Sequence, residues 1–233
     1  MRSVTLDGRL NSVGKFVRQG AEFADIGTDH AYLPIYLLKS DRIKSAVASD
    51  INEGPLKSAK ANAEEMGVSD RMRFVLTDGA RGLEGFGLSD VAIAGMGGEL
   101  IADIIEASPF LRDEKIRLIL QPMSKQGHLR RYLAERGFDI ISEDYSSSGG
   151  KFYVTLCAEY SGTARKIDEY EAELGKREFL LKLTSDARGY LEKKKKSFSR
   201  AANGKSASEK NPIEADLCAY IDAILKIGDW YDG

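Results

Sequence analysis

Phe23-Ala24-Asp25-Ile26-Gly27-Thr28-Asp29-His30-Ala31-Tyr32-Leu33-Pro34-Ile35-Tyr36 is the stretch from which the fold can be read outward. It begins as a short apolar strand ending at an acid, Asp25, turns tightly through Gly27 and Thr28, and enters a helix near Asp29. Glycine lets a backbone turn sharply and come close to a ligand, and the first turn of a helix offers unpaired N–H groups. A carboxylate at a strand end, a glycine turn and a helix N-terminus together make a nucleotide-type pocket at the carboxyl edge of a parallel sheet. The dinucleotide fingerprint G-x-G-x-x-G is not present, because one glycine stands where three are needed. Taken alone, the same residues also describe an ordinary strand-to-helix turn.

The flanking sequence repeats the alternation. Upstream, Val4, Leu6, Leu10, Val13, Phe16 and Val17 give residues 3–19 a largely helical spacing, with Arg2, Arg9, Lys15 and Arg18 off that face. Downstream, strands are expected at Lys44–Ile51, Arg71–Leu76, Asp90–Ala94 and Ile116–Gln121, and helices at Pro55–Met66, Glu99–Ala107 and Lys125–Arg136. Strands alternating with helices imply a parallel sheet covered on both faces. The pattern then changes. Phe138–Tyr145 and Phe152–Glu159 read as strands separated by Ser-Ser-Ser-Gly-Gly-Lys, and so short a connection can only join antiparallel neighbours. The expected fold class is therefore α/β: a Rossmann-like, mostly parallel sheet whose last strand is antiparallel.

After Tyr160 strand signals cease. Phe179, Leu180, Leu183, Ala187, Tyr190, Leu191 and Phe198 recur at helical spacing, Asn203-Gly204-Lys205-Ser206 marks a break, and Asn211-Pro212-Ile213-Glu214 reads as a helix start. Leu217, Tyr220, Ile221, Ile224 and Leu225 form a second stripe, so an antiparallel helical hairpin is expected. We divide the chain into residues 1–162, the sheet domain with its N-terminal helix, and residues 163–233, a helical, coiled-coil-like C-terminal domain.

Composition sets the class. The 233 residues are 42% hydrophobic and 30% charged with a net charge of −2, as in a soluble globular protein. No apolar run approaches the roughly 18 residues of a spanning helix, and the N-terminus lacks the apolar core of a signal peptide. A cytoplasmic protein is expected, with no membrane partner. Cys157 and Cys218 have no metal-ligand spacing, and no metal is expected. Residues 176–210, in contrast to the whole, hold 11 Lys/Arg against 4 Asp/Glu, an excess of +7 centred on Lys193, Lys194, Lys195 and Lys196.

Three successive strand ends carry an acid beside or near a glycine: Asp25, Asp50 and Asp78-Gly79. Asp50 stands 25 residues after Asp25, close to the roughly 20 expected of an acid that accepts ribose hydroxyls. An acid-x-Gly first strand resembles the opening motif of class I S-adenosylmethionine (AdoMet) methyltransferases. The resemblance becomes specific in Asp25-Ile-Gly-Thr-Asp-His-Ala-Tyr-Leu-Pro, Ala48-Ser-Asp-Ile-Asn-Glu-Gly-Pro-Leu, Asp78-Gly79, Ala94-Gly-Met-Gly-Gly and Leu120-Gln-Pro, joined by Arg9-Leu10 and Gly150-Lys-Phe-Tyr. These motifs are similar to those of the bacterial tRNA (adenine(22)-N1)-methyltransferase family over about residues 5–160. The remaining residues fit it only as a charged helical appendage.

The resemblance implies AdoMet as cofactor, held by Asp25, Gly27, Thr28, Asp50, Ile51, Asp78 and Gly79, with Gly95, Met96, Gly97 and Gly98 lining the reactive end. It implies tRNA as partner and N1 of an adenine as acceptor. Gly-Met-Gly-Gly stands where many amino-methyltransferases have Asn/Asp-Pro-Pro-aromatic, so any ring stacking on the base comes from elsewhere; Tyr32, Phe152 and Tyr153 are candidates, each of which core packing would also explain. Adenine N1 attacks with its own lone pair, so positioning matters more than acid–base machinery. The methylated ring is cationic, and a nearby carboxylate would stabilise it. Asp29 is the first candidate for that role and His30 the second; His128 reads as structural. Arg9, Tyr32, Gly97, Gly98, Tyr153 and Lys193–Lys196 are the candidate substrate-binding residues. Two other readings stay open: an AdoMet methyltransferase of a small molecule or protein, and a non-catalytic RNA-binding protein with a relict cofactor fold. A monomer is the favoured state.

Overall fold

The structure is a computed structural model that describes residues 4–203 and 212–231. Arg2, the break at Gly204-Lys205-Ser206 and the Asn211 cap lie outside the described residues, as do Lys205 and Lys210 of the basic segment.

Five strands, β1 (Ala21–Ile26), β2 (Ile43–Asp50), β3 (Met72–Leu76), β4 (Asp90–Gly97) and β5 (Arg117–Ser124), are joined through helices α2 (Tyr32–Lys39), α3 (Glu53–Glu65) and α4 (Gly98–Glu106). Helix α1 (Gly8–Phe16) precedes them, and α5 (Gln126–Glu135) leads into the hairpin β6 (Phe138–Ser148) and β7 (Lys151–Tyr160). The sheet order is β3-β2-β1-β4-β5-β7-β6. Pairings from β3 through β5 are parallel, and β7 runs antiparallel to both β5 and β6. The reversed strand is the last in the chain, as expected, but it lies inside the sheet and leaves β6 at the edge. The hairpin is also longer than its sequence suggested: pairing continues to Ser148 and Lys151, so only Gly149 and Gly150 form the turn. Both have positive φ, 55° and 71°, as a two-residue turn matching strand twist requires.

Alternate residues of each central strand serve two cores. Phe23, Ala46, Ala92 and Ile119 join Val13 of α1, Val17 just after it, Leu33, Ile35, Leu37 and Leu38 of α2 and Ala59 and Ala63 of α3 on one face. Ala24, Val47, Val91, Ile93 and Leu118 join Ile101 and Ile105 of α4 and Leu129 and Leu133 of α5 on the other. Strands buried on both faces have little room for polar residues, so β1 reads as nearly continuous apolar sequence.

The first helix is shorter than the apolar spacing implied. It starts at Gly8 because the Asp7 carboxylate accepts the Leu10 N–H at 2.8 Å, an N-cap, and it ends at Phe16. Arg18, read as a residue off its face, is instead tied by its Nε to the buried Asp90 at 2.7 Å.

The C-terminal residues form α6 (Glu169–Leu174), α7 (Arg177–Leu180), α8 (Ser185–Asn203) and α9 (Pro212–Tyr231). Helices α8 and α9 pack on each other, and Ala187, Tyr190, Leu191, Leu217, Ile221 and Ile224 belong to the same apolar cluster as the sheet's second face. A buried polar knot fastens them. Arg130 of α5 donates to both oxygens of Glu143 at 2.9 and 3.0 Å and to the Ala172 carbonyl at 2.9 Å. The Tyr145 hydroxyl donates to Glu143 at 2.9 Å, and its ring lies 5.0 Å from that of Tyr190 on α8. Arg130 and Glu143 are both fully buried. Such a pair specifies geometry more than it adds stability, while removing one partner strands a charge.

Among the described residues no helix is long and apolar enough to cross a membrane, and no group of three or more His, Cys, Asp or Glu is placed to hold a metal ion.

Candidate active site

The sheet order reverses between β1 and β4, and open α/β sheets take ligands in the crevice outside the strand ends at such a point. A cleft of about 570 Å³ lies there, bounded by Asp25, Gly27 and Thr28 below, Asp29, His30 and Tyr32 at the rim, and Arg9 and Gly95 across from them. Gly27 has φ of 74°, a left-handed turn that carries the chain out of β1. The N–H groups of Gly27 and Thr28 are not free: both donate to the Ser49 carbonyl, at 2.8 and 2.9 Å. Nor does the helix open at Asp29. Ala31 takes a left-handed conformation (φ 56°), and α2 begins at Tyr32 without a side-chain cap. Asp29 and His30 therefore lie on a bend between strand and helix.

Asp25 is buried, and among the described residues no ion pair holds it. Burial raises its carboxyl from the ordinary 3.8 to about 6, against the lowering effects of the Thr28 hydroxyl and the Arg9 guanidinium, while Asp50 pushes it further up. Thr28 Oγ1 is itself buried beside Asp25 and makes no hydrogen bond of good geometry. A buried carboxyl beside a buried hydroxyl that lacks a well-formed hydrogen bond is what a polar ligand would satisfy. At the rim, Asp29 Oδ2 stands 3.3 Å from His30 Nε2, and the His30 and Tyr32 rings lie 5.3 Å apart. The Asp29 side chain is 79% exposed.

Asp50 and Asp78 do not line this cleft; they stand farther along the same sheet edge. Asp50 Oδ1 accepts the Asn52 N–H at 2.8 Å, and its carbonyl accepts Thr77 N–H at 3.0 Å, so the ends of β2 and β3 are tied together. Ile51 is 64% exposed beside it. Ser49 Oγ lies 3.4 Å from the Gly79 carbonyl, and Asp78 pairs with Arg81 at 3.4 Å.

β4, expected to end at Ala94, runs on through Gly95-Met96-Gly97 as an irregular strand end, with register shifts against β5 around Met96, and Gly98 begins α4. Strand pairing continues because β5 extends alongside to Ser124. The Met96 methyl lies over Gly27, in the space a Cβ there would fill. Gly98 abuts the Lys125 carbonyl, so a side chain there would strike backbone. Gly97 has an ordinary φ of −68°, and a Cβ on it would come 3.5 Å from Ser124 Oγ.

Gln121 organises this end, a role the sequence did not announce although Leu120-Gln-Pro was visible in it. Fully buried, its Oε1 accepts both the Gly95 N–H and Arg9 Nη1, each at 3.1 Å. Arg9, from the N-terminal helix, is thereby held against β4. A polar side chain closing the apolar run of a strand was the signal available in the sequence.

A second cleft of about 490 Å³ lies beyond Gly97, between Ser124, Tyr153 and Lys193. Phe152 lines this cleft while its ring packs on Gly189 of α8. The four-lysine run does not act as one patch. Lys194 pairs with Glu173 at 3.1 Å and Lys195 with Asp222 at 2.5 Å, leaving Lys193 and Lys196 as the exposed pair. His128 is exposed on α5.

The sheet order, the acid–glycine first turn and the acid closing β2 define a class I methyltransferase. The family described as "Methyltransferase domain" matches residues 6–156. The tRNA (adenine(22)-N(1))-methyltransferase of Bacillus subtilis (strain 168) is 38% identical over 159 residues, 68% of this chain and 67% of that protein. A Streptococcus pneumoniae putative tRNA (m1A22) methyltransferase, solved in complex with S-adenosyl-L-methionine, superposes with a TM-score of 0.80 at 34% identity, covering 93% of this chain and 98% of that one. M. capricolum TrmK, solved with the cofactor product S-adenosyl-homocysteine, gives a TM-score of 0.76 at 28% identity over 96% and 98% of the two chains. The chain belongs to the tRNA (adenine(22)-N1)-methyltransferase family.

Proposed function

We propose that the protein transfers a methyl group from S-adenosylmethionine to N1 of adenine 22 in tRNA, acting as a cytoplasmic monomer. The observation that carries the reading is the buried Asp25 carboxyl, raised by burial, with the buried Thr28 hydroxyl, beside a left-handed Gly27 at the point where the sheet order reverses. AdoMet, when bound, supplies a methyl made electrophilic by its sulfonium. Asp25, Gly27 and Thr28 would hold its polar end, and Asp50 would accept from its ribose, with Ile51, Asp78 and Gly79 toward the adenine.

The chain's remaining work is placement. Adenine N1 needs no base, so the acceptor must be unstacked from the tRNA and held in line beside Gly95 and Gly97. Gln121 fixes Gly95 and Arg9 through one oxygen. Asp29 at the rim faces the cationic product ring, His30 orients Asp29, and Tyr32 offers a face for the base. Residues 1–162 bind the cofactor and carry out transfer, and residues 163–233 help hold the tRNA. Incubating tRNA with the protein and methyl-labelled AdoMet, followed by nucleoside mass spectrometry, tests the reading: labelled N1-methyladenosine is expected. Label in no nucleoside would leave a protein or small molecule as acceptor, and no affinity for S-adenosylhomocysteine would favour the relict-fold alternative.

A further inference from the structure

We infer that the second cleft, between the end of β5, the tip of the β6–β7 hairpin and α8, grips the tRNA strand next to the reacting adenine. The inference rests on the tRNA reading above and deepens it.

Four lysines from three separate segments converge on this cleft: Lys125, Lys151, Lys193 and Lys194. Two are compensated, Lys125 by Glu99 at 3.7 Å and Lys194 by Glu173 at 3.1 Å. Lys151 and Lys193 are exposed, and among the described residues neither has a carboxylate within ion-pair distance. Concave positive charge that the protein does not neutralise is suited to a phosphodiester. Tyr153 lines the same cleft. Lysines along a groove with an aromatic face between them are the elements that hold single-stranded nucleic acid: cations follow the backbone while a ring stacks on a base.

Position identifies the occupant. Ser124 is both a wall of this cleft and the residue facing Gly97. Gly95 bounds the cofactor cleft, and two residues of chain span no more than roughly 7 Å even when fully extended. The second cleft is therefore about one nucleotide's reach from the acceptor position. An adenine extruded toward Gly95 and Gly97 brings its neighbouring phosphate to Lys151 and Lys193. The sequence divides these residues among a β5–α5 loop, a hairpin tip and the middle of a helix, and only the fold gathers them.

The test is the double variant Lys151→Ser/Lys193→Ser, beside a control pair of equal charge change on the far helix α3, Lys57→Ser/Lys60→Ser. Binding of tRNA is measured over a salt series, with kcat and KM for methylation, thermal unfolding, and S-adenosylhomocysteine affinity by titration. The expected result for the cleft variant is a Kd and KM for tRNA raised about tenfold, a log Kd versus log salt slope reduced by about one to two, and unchanged kcat, unfolding and S-adenosylhomocysteine affinity. The control pair should match the parent. A cleft variant indistinguishable from the parent, or from a control pair equally weakened, overturns the assignment. If the parent itself binds S-adenosylhomocysteine yet transfers no methyl to tRNA, the functional reading fails and the cleft with it. Normal parental methylation with an unaffected cleft variant removes the cleft alone.

Discussion

Asp25→Asn should make the free protein more stable and a worse enzyme. The carboxyl is buried, and its midpoint is raised from 3.8 to about 6 chiefly by loss of water. A group whose folded value lies above its unfolded one contributes most below the unfolded value and loses that contribution as pH rises through the folded value. At about 1.4 kcal/mol per pH unit, ionised Asp25 costs the fold about 3 kcal/mol at pH 8. The amide of Asn keeps the shape and carries no charge, so this cost disappears. Urea unfolding should therefore find the variant more stable by about 3 kcal/mol at pH 8 and by under about 1 kcal/mol at pH 4. S-adenosylhomocysteine affinity should fall on the order of tenfold or more, because a charge-assisted hydrogen bond is lost. A variant less stable than the parent at pH 8, or a stability gap that does not change with pH, would refute the reasoning: Arg9 and Thr28 would then outweigh burial.

Asp50→Ala should weaken S-adenosylhomocysteine on the order of tenfold or more, since each ribose hydrogen bond to a carboxylate contributes roughly 1.5–3 kcal/mol; titration at constant thermal stability reads it. Gly97→Val should keep its melting temperature and cofactor affinity while losing nearly all transfer, because φ at Gly97 suits any residue and its Cβ direction meets only Ser124 Oγ. Gly98→Ala, at the next residue, should instead lower the melting temperature, because its Cβ strikes the Lys125 carbonyl. Arg130→Met should cost roughly 3–5 kcal/mol in urea unfolding, from Glu143 left buried and unpaired, and Arg130→Met/Glu143→Leu should recover much of it.

The sheet was legible because its physics is local: strands buried on both faces must be apolar throughout, and acids at their ends stand out. Asp25, Gly27, Gly95 and Arg9 were named from sequence and meet in one cleft. What escaped depended on partners distant in the chain. That the Ser49 carbonyl takes the N–H groups of Gly27 and Thr28 could not be read, because Ser49 lies on another strand. The fourth strand was expected to stop at Ala94 because glycine-rich sequence usually leaves a strand; the longer β5 keeps Gly95-Met96-Gly97 paired. The lysine run looked like one basic patch because a helix's charges carry no record of Glu173 and Asp222 on its neighbours. Gln121 read as part of a motif, yet its service to Arg9 spans 112 positions of sequence.

The central claim is that this site methylates one adenine of tRNA, and two transcripts test it most directly. One carries adenine at position 22 and the other guanine, with all other nucleotides identical. With labelled AdoMet, the adenine transcript should gain one label as N1-methyladenosine at that position, and the guanine transcript should gain none. Equal labelling of both transcripts, or label elsewhere in the adenine transcript, would contradict it.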